Sequence, residues 1–239
     1  MEKSLAATIE NGQFVTESNW FKIMVRDWVL GFMQLLPSIK HWLEKGARRD
    51  GLFRYQPEQD VAFIARSGGF LFPQVYCKKI RPSSATGLST VLFTDDVIFN
   101  SKTRLFQIVI LLSSLNRYHQ LQESHERLNK IESLSGGELS IDEATVFIHD
   151  TDLSENQDLH SDNIYRIATA EEFASTKELC ALRPRPIHYD ELGMLKATRR
   201  MSYVILRPDR VAFAACSSLA ELEQAVVALS RLTKGEVIV

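Results

Sequence analysis

Two groupings of histidine with carboxylates give this chain its clearest means of moving protons. His149-Asp150-Thr151-Asp152 follows a strand-like run, and His188-Tyr189-Asp190-Glu191 precedes another. In each, an imidazole that titrates near ~6.5 has a carboxylate close by to orient it as a general base. His149, Asp150, His188 and Asp190 are therefore the candidate catalytic residues. Simpler readings stand beside them: loop polar groups facing solvent around His149, and a turn capped by Asp190. Asp95-Asp96 has the ligands for a metal, but Asp after Thr94 at a strand end also suits the capping of a short helix. Cys77, Cys180 and Cys216 are too widely spaced for a zinc pair or for Cys-x-x-Cys. No metal site or cofactor is expected, and no nucleophile elbow or phosphate loop is visible.

Composition narrows the classes further. The chain has 239 residues, 45% of them apolar, and a net charge of −2. Both signs are interspersed, so no basic field exists to attract nucleic acid. Three sparse cysteines imply reduced thiols and a cytoplasmic setting. The first 14 residues mix charges and lack the apolar centre of a secretory signal.

Three regions position the candidate groups. Residues 1–18 form a polar leader or a single docking strand. Residues 19–103 form a helical and extended segment, beginning with a helix over Asn19–Leu36 rich in Trp, Phe, Met, Val and Leu. Lys22, Arg26 and Asp27 near its middle argue against a membrane span. Its width of apolar surface demands a neighbour, and Trp20, Trp28 and Phe32 are its candidate binding surface. Gly69–Val75 reads as a turn and extended chain, Thr90–Phe93 as a strand, and Thr94-Asp95-Asp96 as the start of a short helix.

Residues 104–239 carry the strongest fold signals. Arg104–Leu112 is a buried strand, followed by one long helix to about Leu134 that Gly136-Gly137 stops. Ala144–His149 is a second strand, residues 150–162 an acidic loop, and Thr169-Ala-Glu-Glu172 a capping box. Tyr203–Leu206 and Val211–Cys216 flank Arg207-Pro-Asp-Arg210, whose proline and aspartate suit a tight hairpin turn. Ser218-Leu-Ala-Glu221 opens a closing helix that Gly235 ends. The order β, α, β, α, β, β, α predicts an α/β domain, a thioredoxin-like mixed sheet with flanking helices.

Four short segments, taken in order, resemble the C-terminal region of FAD-dependent aromatic hydroxylases, the phenol and 3-hydroxyphenylpropionate monooxygenase group. They are Val25–Pro37 ending in Leu-Pro, Gly69-Phe-Leu-Phe-Pro-Gln-Val75, Thr94-Asp-Asp-Val-Ile98 and Leu206-Arg-Pro-Asp209. The resemblance covers about Asn19–Leu232 and implies a thioredoxin-like domain beside an aromatic substrate pocket. The chain departs from the family where redox chemistry resides. No Gly-x-Gly-x-x-Gly turn cradles a dinucleotide, and the family's Gly-Asp flavin segment has no counterpart. Ser113-Ser-Leu-Asn116 stands where a thioredoxin carries its two cysteines.

The expectation is a protein of secondary metabolism that is redox-inactive alone. It would bind an aromatic or apolar small molecule, pair with itself, or dock on a flavin subunit. The alternative is a cofactor-free isomerase, cyclase or hydratase acting on an aromatic or polyketide-type intermediate.

Overall fold

The computed structural model describes residues 9, 12, 15–36, 39, 55, 63–64, 66–80, 90–150, 163–176 and 189–235. The chain forms two compact units, Met1–Arg49 and Asp50–Val239. The boundary expected at residues 103 and 104 falls inside the second unit.

The first unit contains helix α1, Trp20–Leu35. Asn19 caps it, its side-chain oxygen accepting from the Phe21 and Lys22 N–H groups. Residues 9, 12 and 15 are helical where composition suggests a leader or a docking strand. Most of the charged segment after Pro37 lies outside the described residues.

The second unit holds one seven-stranded mixed sheet flanked by helices, the α/β class the sequence predicts. Its elements are β1 (Tyr76–Lys79), β2 (Val91–Phe93), α2 (Thr94–Phe99), β3 (Gln107–Leu112), α3 (Leu115–Glu123), α4 (His125–Leu134), β4 (Thr145–Ile148), β5 (Ile164–Ile167), α5 (Ala170–Ser175), α6 (Gly193–Ala197), β6 (Tyr203–Leu206), β7 (Ala212–Cys216) and α7 (Leu219–Thr233). Spatial order is β2-β1-β5-β4-β3-β6-β7. β3, β4 and β5 run parallel, and the remaining neighbours pair antiparallel.

All six residues of β3 are buried. Ile108, Ile110 and Leu112 enter a core with Leu128, Ile131, Leu222, Val226 and Leu229 from α4 and α7. Val109 and Leu111 enter a second core with Phe70, Phe72, Ile98 and Met194. Apolar cover on both faces is why Ile108–Leu112 reads as an unbroken apolar run rather than an alternation.

The hairpin forms as its turn chemistry dictates. Arg210 N–H donates to the Arg207 carbonyl at 3.0 Å, and Val211 N–H to Asp209 Oδ1 at 3.2 Å. Arg210 takes a φ of 66° at the closing position. Its guanidinium then reaches Asp95 Oδ2 at 3.0 Å, so one of the paired aspartates ties α2 to the hairpin. An irregular segment before β1 runs along β7: Ile64 N–H donates to the Phe213 carbonyl, Gly69 N–H to Ala212, and Ala215 N–H to Ser67.

Three elements differ from the sequence reading, the first being β1, a strand at Tyr76–Lys79 that it does not include. β5 is an additional strand, masked in the sequence by Arg166, a charge amid Ile164, Tyr165 and Ile167. That guanidinium is buried against Glu172 of α5, which also forms a salt bridge with Lys78 at 3.0 Å. The long helix expected after β3 breaks at Ser124, which takes a φ of −95° and ψ of 14°. Ser124 Oγ bonds back to the Gln120 carbonyl at 3.3 Å, a competitor to regular helix bonding.

Candidate functional site

A cleft of about 480 Å³ opens at the carboxyl ends of β3 and β4. Its size falls within the range of small-molecule sites, ~300–1,000 Å³. Leu111, Leu112 and Ser113 contribute the end of β3, and Arg117, Gln120 and Leu121 one face of α3. Met201, Ser202 and Tyr203 contribute the start of β6, and Ser217 and Ser218 the entry to α7. Ser202 ties these parts together. Its N–H donates to the Cys216 carbonyl, and its carbonyl accepts from Leu111 N–H at 2.8 Å.

His149 lines the same cleft. Its N–H donates to the Leu112 carbonyl at 2.8 Å, which fixes it one residue beyond β4. Its Nε2 is buried and makes no hydrogen bond among the described residues. Burial pushes the imidazole down to about 4, so it is neutral at physiological pH. Burial is the sole cause of that shift, with no carboxylate contributing. A base so weak suits hydrogen bonding to a ligand better than proton abstraction at neutral pH.

The other sequence candidates go elsewhere. Asp150 follows His149 but is not among the residues lining the cleft. Asp190 precedes α6; its carboxylate accepts from Leu192 N–H at 3.1 Å and pairs with Lys196 at 2.7 Å. That is the turn-capping use of an aspartate. His188 lies outside the described residues. Its neighbour Tyr189 donates its hydroxyl to the Ala168 carbonyl at 2.8 Å and packs on Tyr76 and Phe173. Burial raises the Tyr189 hydroxyl well above its ordinary value.

The two described cysteines are closed to thiolate chemistry. Burial, with a smaller push from Glu221, carries the Cys216 thiol up to about 12. Burial, then Asp96, drives Cys77 higher still. Among the described residues no group of three or more His, Cys, Asp or Glu could hold a metal ion.

On α1, Trp20, Trp28 and Phe32 are 72%, 74% and 57% exposed. Trp28 and Phe32 stack at 6.3 Å. Phe21, Met24, Val25 and Val29 are exposed as well, while Ile23, Leu30 and Met33 are half-buried. Among the described residues no helix is long and apolar enough to cross a membrane.

Sequence reading did not single out Arg117, Arg200 or Tyr203 as site residues. Their one sequence signal is position: Arg117 lies two residues after the Leu115 that opens α3, and Arg199-Arg200 stand just before β6. Comparison with protein-family models, with curated proteins and with solved structures finds no match to this chain.

Proposed function

We propose that this chain is a non-redox accessory protein that binds a small aromatic or apolar molecule in the cleft between β3, β4, α3 and β6. The observation that carries this reading is the cleft itself, where an apolar strip of Leu111, Leu112, Leu121, Leu195 and Met201 lies among polar side chains. Leu111, Leu112, Leu121 and Met201 supply contact area, and Ser113, Gln120 and Ser202 line the cleft beside His149 as polar groups. Apolar contact area beside placed polar groups is what small-molecule recognition requires.

The relationship to the aromatic hydroxylase C-terminal region is part of the proposal. Supporting it is the partial strand order β4-β3-β6-β7, with β6 and β7 antiparallel and α7 closing the domain. That arrangement favours the thioredoxin-like reading. Ser113 lines the cleft where a thioredoxin's reactive sulfur would stand, which favours binding over exchange. A cofactor-free isomerase or cyclase would ask His149 to act as base, and its low basicity favours the binding reading.

The test uses the full chain and phenylacetamide as a neutral aromatic probe, followed by chemical-shift changes. Shifts are expected in Leu121, His149 and Tyr203, and Ser113→Trp, which puts a bulky ring on the cleft wall, is expected to abolish them. Failure of both phenylacetamide and its acid analogue phenylacetate to bind, or binding indifferent to Ser113→Trp, refutes the reading.

A second reading concerns assembly and rests on α1. A helix face carrying two tryptophans and a phenylalanine at more than half exposure favours a protein neighbour. A second copy of this chain is the occupant proposed, with a flavin-carrying subunit as the other outcome. Sedimentation at micromolar concentration is expected to show a dimer that the double substitution Trp28→Glu, Phe32→Glu converts to monomer. A wild-type monomer that stays monomeric at tens of micromolar rules out self-pairing.

A further inference from the structure

Charge around the cleft is one-sided. Among its described lining residues there are two arginines, Arg117 and Arg200, one neutral histidine, one tyrosine, and no aspartate or glutamate. Three other arginines of the second unit lie in salt bridges, Arg166 with Glu172, Arg207 with Asp209, and Arg210 with Asp95. Arg117 and Arg200 have no carboxylate partner among the described residues. The hydrogen bond that Arg117 does make, at 3.3 Å, goes to the neutral amide of Gln120.

Backbone geometry holds the second arginine at the rim. Arg199 and Arg200 both take left-handed conformations, with φ of 52° and 60°. Glycine adopts that geometry without a steric cost, and two consecutive side-chain-bearing residues do so at some cost in strain. The Arg200 N–H donates to the Leu195 carbonyl at 2.9 Å, which anchors the turn between two cleft residues. On the opposite wall, α3 begins at Leu115 with no side-chain cap from Ser114, so its first turn adds uncapped donors near Ser113. The entry to α7 differs, because Glu221 already accepts from the Ser217 N–H and hydroxyl there. Positive charge also reaches the wall between them. Burial raises the Tyr203 hydroxyl, and the guanidinium groups of Arg127 and Arg117 oppose that rise.

We propose that the cleft is specific for small organic acids, with Arg117 and Arg200 gripping a carboxylate at the rim while an apolar body lies against Leu112, Leu121 and Met201. This rests on the binding reading above and adds the ligand's charge class. Guanidinium forks match the two oxygens of a carboxylate, and each charge-assisted bond is about twice as strong as a neutral one. A carboxylate fits better than a phosphoryl group. No glycine-rich run at the start of α3 brings several amides onto three oxygens, and no lysine lines the cleft.

The experiment compares phenylacetate with its neutral isostere phenylacetamide, and with phenyl phosphate, by calorimetry and chemical-shift titration on the full chain. Phenylacetate is expected to bind at least about tenfold more tightly than the amide. Arg117→Gln and Arg200→Gln are each expected to weaken phenylacetate about tenfold and leave the amide unchanged. Arg200→Gly, which keeps the left-handed backbone, is expected to match Arg200→Gln. Arg199→Gln, outside the cleft, is expected to match wild type. Equal binding of acid and amide overturns this proposal while leaving the aromatic-binding reading intact. A preference for phenyl phosphate overturns the carboxylate assignment. Failure of every probe to bind overturns the binding reading itself.

Discussion

Substituting Glu172 tests the account of how β5 is held in the sheet. Its carboxylate faces the buried Arg166 guanidinium, pairs with Lys78 at 3.0 Å, and accepts from Thr169 N–H at 2.9 Å. The Arg166 hydrogen bonds, chiefly, hold the Glu172 carboxyl down at about 2, against an ordinary 4.5. By linkage that depression corresponds to at most ~3.5 kcal/mol at neutral pH. Solvent reaches the partly exposed carboxylate and screens the gain to ~1–2 kcal/mol. Glu172→Gln removes the charge but keeps the shape and one acceptor. It also takes the Glu172 charge away from Arg166 and Lys78, whose side chains are 6% and 14% exposed. The expected loss is about 2–3 kcal/mol at pH 7, toward the lower end of what breaking a buried pair costs.

Urea unfolding of both proteins at pH 7 and pH 3 reads this directly. A depressed carboxylate contributes its full stability above the unfolded pKa near 4.5 and loses it as pH falls toward the folded value near 2. The gap between wild type and variant is therefore expected to narrow by roughly half or more at pH 3. A variant within about 0.5 kcal/mol of wild type at pH 7 would refute the reasoning. So would a gap of the same size at both pH values.

His149 supplies a second pH-dependent contribution. Its folded pKa near 4 lies below the ordinary 6.5, so its stability contribution is full above 6.5 and lost as pH falls to about 4. His149→Gln should flatten the stability curve across that window and leave the region below pH 4 to Glu172. At Gly68, an added Cβ would stand 2.2 Å from the Phe213 carbonyl oxygen and 2.8 Å from that of Ala212. Both are backbone atoms that cannot swing aside, so Gly68→Ala should cost more than about 2 kcal/mol in thermal or urea unfolding. Cys77 and Cys216, both buried with raised pKa values, should resist iodoacetamide at pH 8 in the native protein and react once it is unfolded, as peptide mapping will show.

Local signals were legible in the sequence where the chemistry is local. The hairpin turn follows from Pro208 and Asp209, and the capping box at Thr169 forms with Glu172 as its third residue implies. Gly136, Gly137 and Gly235 take positive φ where helices were expected to stop. β5 was hidden because its central residue is an arginine, and only the tertiary partner Glu172 makes burial of that charge tolerable. The break at Ser124 was hidden because helical periodicity resumes on both sides of it. At the site, His149 could be singled out as a strand-end imidazole. Arg117, Arg200 and Tyr203 converge from positions up to 86 residues apart in the numbering, and no spacing rule reports such a meeting.

The segment that lies along β7 also bears on how this protein behaves in a crowded solution. β7 ends the sheet, and an open border of that kind offers free amides and carbonyls to any extended chain that drifts past. Here Ile64, Ser67, Gly69 and Phe70 occupy several of those groups through irregular backbone. The opposite border is the three-residue β2, too brief to template a partner. Among the described residues both ends of the sheet therefore offer little for a passing strand to grow on.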